Sequence, residues 1–283
     1  MPDAITGAGY AQERLVLEPV APLALPDFIE IWRHRDLLLT LAARDLKVRY
    51  KQTALGVLWI VLQPLLGAGI LTYVFGEIAN VRAPGGLPIF LLSFSGMVVW
   101  SAFSSTISRT ASALIGNAQL ISKVYFPRLI LPLSTILSTL VDVLVMLPML
   151  AIFCIVYRWQ PPWTIVFFPW FILIAMALGS GIGTWMAGLA VKYRDVQYVL
   201  PVITQTLFWA SPIAYGASRV GKHRTLYFLN PLAGTIEGFR WSVLGVGFIS
   251  PWEIFYTAAT AAVAMAVGYF WFSRMERSFA DVI

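Results

Sequence analysis

The chain has 283 residues, 59% of them hydrophobic and only 12% charged, where soluble domains carry about 25% charged residues, and its mean hydropathy is +0.76. That composition excludes a water-soluble globular domain and makes lipid the main solvent. The net charge of +6 sits beside hydrophobic runs, where it orients the chain in a membrane, so nucleic acid is excluded as a partner.

Residues 1–26 contain Asp3, Glu13 and Glu18 and no apolar stretch; they predict a flexible tail with no cleavable signal peptide. Residues 27–283 form a single membrane domain, opening at 27–51 with mixed apolar and basic residues at near-helical spacing. That pattern predicts an amphipathic helix on the membrane surface. A bilayer core of about 30 Å takes roughly 20 apolar residues per helix, and six such runs follow, at about 54–76, 88–108, 129–156, 164–191, 196–216 and 252–272. The fold class expected is therefore an all-α integral membrane protein with six transmembrane helices.

Seven Arg and Lys residues between Arg14 and Lys51 precede span one, while Arg82 alone separates spans one and two. The positive-inside rule then puts the N-terminus in the cytoplasm, and the even count returns the C-terminus there. Residues 217–251 resist the rule, since they should face outside yet carry Arg219, Lys222, Arg224 and Arg240. Their interrupted apolar run suits re-entrant half-helices, with a pair of extra short spans as the alternative.

No G-x-x-x-x-G-K-[ST] phosphate loop is present; Gly221-Lys222-His223 lacks the upstream glycine and the hydroxyl. The chain is expected not to hydrolyse ATP, to be no enzyme itself, and to bind no metal or cofactor. Its single cysteine, Cys154, excludes an intrachain disulfide and reads as a buried thiol. Asp142 is the one acidic residue deep in a span, and two readings stay open: a proton or substrate-hydroxyl ligand, or a structural hydrogen bond to a neighbouring helix.

Trp59, Gln63, Leu66, Ile70 and Tyr73 share one face of span one; Pro201, Gln205, Phe208, Pro212 and Tyr215 repeat that spacing in span five. Amides beside aromatic surface suit a sugar, whose hydroxyls hydrogen-bond while its C–H faces lie on rings, and they equally suit helix packing. Trp100, Trp159, Trp163, Trp170 and Trp252 near span ends read as an interfacial belt. Gly179, Gly181, Gly183 and Gly188 read as helix contacts. Between spans two and three, residues 108–128 form a segment too polar to span, with Leu114, Ile115, Ala118 and Ile121 in a short helical pattern. It is read either as a docking element for a soluble partner or as lying on the lipid surface.

The motifs Arg44-Asp45-Leu46-Lys47-Val48-Arg49-Tyr50, Leu55-Gly56-Val57-Leu58-Trp59, Gln63-Pro64, Lys123-Val124-Tyr125-Phe126-Pro127, Tyr193-Arg194-Asp195, Ser211-Pro212 and Asn230-Pro231, in this order, resemble the type-2 ABC exporter permeases of the polysaccharide, O-antigen and teichoic-acid branch. The resemblance covers nearly all of residues 28–275. It implies a permease subunit exporting polyprenyl-pyrophosphate-linked polysaccharide across the bacterial cytoplasmic (inner) membrane, in the service of lipopolysaccharide or capsule biosynthesis. It further implies a homodimer bound to two copies of a separate nucleotide-binding ATPase that holds the ATP and Mg.

In that family an N-terminal interface helix and a coupling helix between spans two and three meet the ATPase. The implied partner-facing residues are Arg44, Arg49, Leu114, Asn117, Ile121, Lys123, Phe126, Pro127, Arg194 and Asp195. The implied substrate pathway comprises Trp59, Gln63, Tyr73, Gln205, Phe208, Tyr215 and Arg240. For Arg240, contact with the substrate pyrophosphate and pairing with Glu237 are both open. Two other functions are weighed: a type-2 exporter of drugs or other lipids, and a membrane glycosyltransferase on lipid-linked sugars, against which stands the absence of a D-x-D metal pair.

Overall fold

The computed structural model describes residues 28–51, 56–124, 126–216, 224–247 and 249–276. The expected N-terminal tail and the basic residues Arg219 and Lys222 lie outside them. Every regular element described is helical.

Five helices are long and apolar enough to cross a membrane: Leu58–Ile78, Ile89–Gly116, Ile130–Val156, Trp163–Lys192 and Pro251–Glu276. In chain order the elements are α1 (Phe28–Arg33), α2 (Arg35–Tyr50), α3 (Leu58–Thr72, continued by a π-helical turn to Ile78), α4 (Ile89–Gly116) and α5 (Ala118–Ile121). Then come α6 (Ile130–Val156), α7 (Phe168–Lys192), α8 (Val196–Ala210), α9 (Arg224–Phe228), α10 (Pro231–Leu244) and α11 (Pro251–Glu276).

Three elements differ from the sequence expectation. The fifth run is helical for only 15 residues, in α8, or about 22 Å at 1.5 Å per residue. Its stop is steric: Ser211, extended at φ −107° and ψ 149°, precedes Pro212, whose ring disfavours helical backbone at the residue before it. The polar tail of span two does not leave the helix at 108; α4 continues to Gly116, and the separate coupling helix shrinks to the four residues of α5. Ser112 donates to the Ser108 carbonyl at 2.9 Å, so these polar side chains stay compatible with the helix until Gly116-Asn117 breaks it. The interface helix is two pieces, divided at His34.

Helix α4 is the axis of the bundle. Its inner half is buried almost continuously from Leu91 to Trp100, and it packs against α3, α6, α7, α8 and α10. Apolar surface gains nothing by leaving lipid for protein, so helices here associate through close fit and polar contacts. Small residues provide the fit. A Cβ added at Gly183 of α7 would lie 2.8 Å from the Ile107 carbonyl oxygen of α4. Gly181 and Gly268 bring the backbones of α7 and α11 together in the same way, so the packing role read for these glycines is the one the structure gives them. Gly268→Val is accordingly expected to destabilise the protein by about 1–3 kcal/mol through overpacking, read as a lower unfolding temperature in detergent; an unchanged temperature refutes the close α7–α11 crossing.

A second apolar core closes one end of the bundle. Ile31 and Leu41 of α1–α2, Leu114 of α4, Phe126, Leu129 to Leu131, and Tyr269 and Phe272 of α11 meet there. Arg128 ties the same end: its backbone N–H donates to Glu276 Oε1 at 3.0 Å and its Nη1 to the Glu276 carbonyl at 3.2 Å. The segment after α5 is therefore tied to the end of α11.

Candidate functional site

Asp142, halfway along α6, is where three helices meet. Its side chain is 5% exposed, and a carboxylate at that depth requires partners. Arg49 Nη1, from the last turn of α2, lies 2.8 Å from Oδ2, and the Tyr50 hydroxyl donates to Oδ1 at 2.8 Å. Arg109 of α4 pairs with the same Oδ2, while its Nη1 donates to Thr139 Oγ1 at 3.1 Å. Burial pushes the Tyr50 phenol above its ordinary pKa, with the Asp142 carboxylate adding to the shift, so the hydroxyl stays a donor at neutral pH. Of the two readings of Asp142, this geometry is the hydrogen bond to neighbouring helices.

The cluster floors a cleft of about 380 Å³ between α3, α4 and α6. Trp59 and Gln63 form one wall and Trp100, Ser101, Ser104 and Ser105 the other. Aromatic faces, an amide and hydroxyls thus converge with two guanidiniums. On the opposite side Arg49 and Arg109 also border a second opening of about 580 Å³, shared with Arg44, Asn117 and Thr135. The guanidinium pair is the partition between the two spaces.

The structure brings together only part of the pathway set expected from sequence. Trp59 and Gln63 line the cleft. Tyr73 lies farther along the exposed face of α3, 63% exposed. Phe208 stacks edge-on against Trp100, with centroids 5.3 Å apart, and Tyr215 packs against Phe75 and Tyr227; Gln205 is exposed on α8.

Arg240 is no cleft residue. It is fully buried, and its donors are spent on α4, α10 and the irregular backbone after α8. Nη2 donates to the carbonyls of Ile213 (2.7 Å) and Leu92 (2.8 Å), and Nη1 to the Tyr215 carbonyl (3.1 Å) and Glu237 Oε1 (3.0 Å). Contact with a substrate pyrophosphate is therefore replaced by the pairing with Glu237. The motifs Ser211-Pro212 and Asn230-Pro231 belong to the same joint: Asn230 caps α10 by accepting from Leu232 N–H, and its Nδ2 donates to Ser211 Oγ at 3.0 Å. Arg224 pairs with Glu253 at 3.0 Å.

Among the expected partner-facing residues, Arg44, Lys123, Arg194 and Asp195 are exposed, and Asn117, Ile121 and Pro127 are half-buried. Arg44 donates to Asn117, linking α2 to the α4–α5 corner. Leu114 and Phe126 instead sit in the second core, 1% and 5% exposed, where they support the corner from beneath. The exposed tip is formed by Ser122, Lys123 and Val124.

Sequence reasoning missed Arg109, Tyr50 and the serine wall. The signal was present: Ser101, Ser105 and Arg109 recur every fourth residue on one face of α4. Trp100 and Trp159 also leave the belt, since Trp100 lines the cleft and Trp159 Nε1 donates to the Leu244 carbonyl at 2.9 Å.

The chain is thus a multi-helix bundle, five of its helices long and apolar enough to cross a membrane, with a polar, aromatic cleft against the middle of its central helix. The chain belongs to the ABC-2 type transporter family, whose model matches residues 36–244. It is 30% identical over 254 residues to an O-antigen export system permease protein RfbA of Klebsiella pneumoniae, covering 88% of this chain and 95% of that one. It is 28% identical over 214 residues to the RfbA permease of Myxococcus xanthus, covering 75% and 81%. To the polysialic acid transport protein KpsM of Escherichia coli it is 28% identical over 235 residues, covering 80% and 88%.

Proposed function

We infer that the chain is the permease of an ABC-2 transporter that exports O-antigen or capsular polysaccharide. The observation that carries this reading is the agreement of two kinds of glycan-export permease along most of the chain. The cleft supports it, since Trp59, Trp100, Gln63 and the α4 serines offer rings and hydrogen bonds together. The permease is not itself an enzyme; ATP is hydrolysed by a partner ATPase subunit, which holds the nucleotide and Mg.

The finer architecture follows from this reading. Two copies of the chain meet two ATPases in the bacterial cytoplasmic membrane. The end bearing α2, α5 and the second core faces the cytoplasm, as do both termini. Helix α4, about 42 Å long, exceeds the roughly 30 Å hydrocarbon core, so its last turns stand in the cytoplasm and carry α5 to the ATPase. The sixth crossing is made by α8 together with residues 211–216, and α9 and α10 dip into the outer side without crossing. The irregular backbone there survives because Arg240 and Asn230 satisfy it. The substrate is a glycan on a polyprenyl diphosphate carrier.

Deleting the gene in its host tests the reading. Surface polysaccharide is expected to disappear while lipid-linked polymer accumulates inside, and a plasmid copy restores export. Undiminished surface polysaccharide in the deletion strain overturns the assignment.

A further inference from the structure

We propose that Arg49, Tyr50 and Arg109 form an entry site for the diphosphate of the lipid-linked substrate, and that Asp142 is its built-in occupant, holding the site closed until the substrate displaces it. The proposal rests on the export reading above and deepens it.

The charge balance is the first argument. Two guanidiniums, from α2 and α4, converge on a single carboxylate oxygen, which leaves one positive charge surplus in a half-buried position. A diphosphate joined to lipid at one end and sugar at the other carries one negative charge on each phosphorus. It matches both arginines where Asp142 matches one, and guanidinium forks suit phosphoryl oxygens. Tyr50, now donating to Asp142 Oδ1, would donate to a phosphoryl oxygen in the same place.

Position is the second argument. The arginine pair borders both the 380 Å³ cleft and the 580 Å³ opening beside α2 and the α4–α5 corner. A group held there stands between the two spaces. The ligand source follows from the wall next to it: Val57, just before α3, and Leu58, Leu66 and Ile70 of α3 are exposed apolar residues flanking Trp59, a surface for a hydrocarbon chain rather than for a free anion. The rings and hydroxyls of the cleft then receive the sugar end.

The consequence is a latch. The Arg49–Asp142 pair ties the last turn of α2 to α6, so a ligand that takes Arg49 frees that turn from Asp142. Substrate and Asp142 compete for the same donors, so the affinity for substrate reports the strength of the internal pair.

The test uses the chain purified with its ATPase in vesicles of neutral phosphatidylcholine, and farnesyl diphosphate as the probe, titrated by calorimetry. Asp142→Asn, which keeps the shape and removes the charge, is expected to tighten binding about tenfold; Arg109→Gln weakens it about tenfold, and Arg109→Lys recovers part of the loss. Farnesol does not bind. Unchanged affinity in Asp142→Asn overturns the latch, and equal binding of farnesyl diphosphate and inorganic diphosphate overturns the lipid-borne source. Thermal unfolding of each variant separates lost binding from lost fold. Failure here in a complex that still exports polysaccharide removes this site alone; failure of export in the unaltered complex removes the functional reading itself.

Discussion

Arg240→Met is expected to destabilise the folded permease by about 3–5 kcal/mol, because it strands a buried charge on Glu237. The backbone adds to the damage. The carbonyls of Ile213 and Tyr215 lie in a stretch with no helix of its own, and Arg240 is their donor; a buried carbonyl left unpaired costs about 1–3 kcal/mol. Glu237→Gln keeps those two bonds and removes only the charge partner, so its effect is smaller. The order Arg240→Met, then Glu237→Gln, then wild type in unfolding temperature is the check, measured on detergent-solubilised protein. Gly96→Ala should resemble the arginine variant, since a Cβ there would lie 2.8 Å from the Ile213 carbonyl oxygen and 2.9 Å from Arg240 Nη2. If Arg240→Met unfolds at the wild-type temperature, the joint after α8 is held by something else.

The same joint shows where sequence reading reaches its limit. Five of the six apolar runs became long helices, four of them within a few residues of the expected bounds, because hydrocarbon thickness sets a run length that composition reveals directly. The remaining run, at 196–216, contained its own stop, Ser211-Pro212, and proline chemistry could have shortened it. The span-two boundary was misplaced for a different reason: polarity marks where lipid ends, whereas a helix ends where backbone bonding fails, here at Gly116-Asn117. The two limits coincide only when the helix does not protrude.

At the site, Trp59 and Gln63 were visible through helical spacing on one element. Asp142 stood out by its depth. Its partners did not, since Arg49 and Arg109 lie 93 and 33 positions away in the chain, and Arg49 read as a residue facing the ATPase. Nothing in one sequence pairs a carboxylate with a guanidinium across helices. Arg240 was visible as anomalous, and its alternative partner, Glu237 one helical turn away, was the legible one.

Coupling to the ATPase is the second place where burial decides the expected result. Val124 is 53% exposed at the tip beyond α5, beside exposed Lys123, while Phe126 two residues on is 5% exposed. Truncating a buried phenylalanine to alanine costs about 3–5 kcal/mol, so Phe126→Ala is expected to loosen the second core and lower the unfolding temperature. Val124→Asp touches no core and should unfold like wild type. Set against a partner surface, however, an aspartate in place of an apolar contact is desolvated without compensation, and Lys123→Glu adds a reversed charge. The double variant Lys123→Glu/Val124→Asp is expected to lose the co-purifying ATPase, or to retain it with coupled ATP hydrolysis reduced at least about tenfold. Loss of assembly with an intact fold locates the docking contact on the tip. Full assembly and full coupled hydrolysis in the double variant would move the contact elsewhere on this end, to Arg44 of α2 or to the exposed corner at Arg194 and Asp195. Because Arg128 clasps Glu276, a push on that tip reaches α11 directly, and through Arg44 and Asn117 it reaches α2 and the Asp142 cluster.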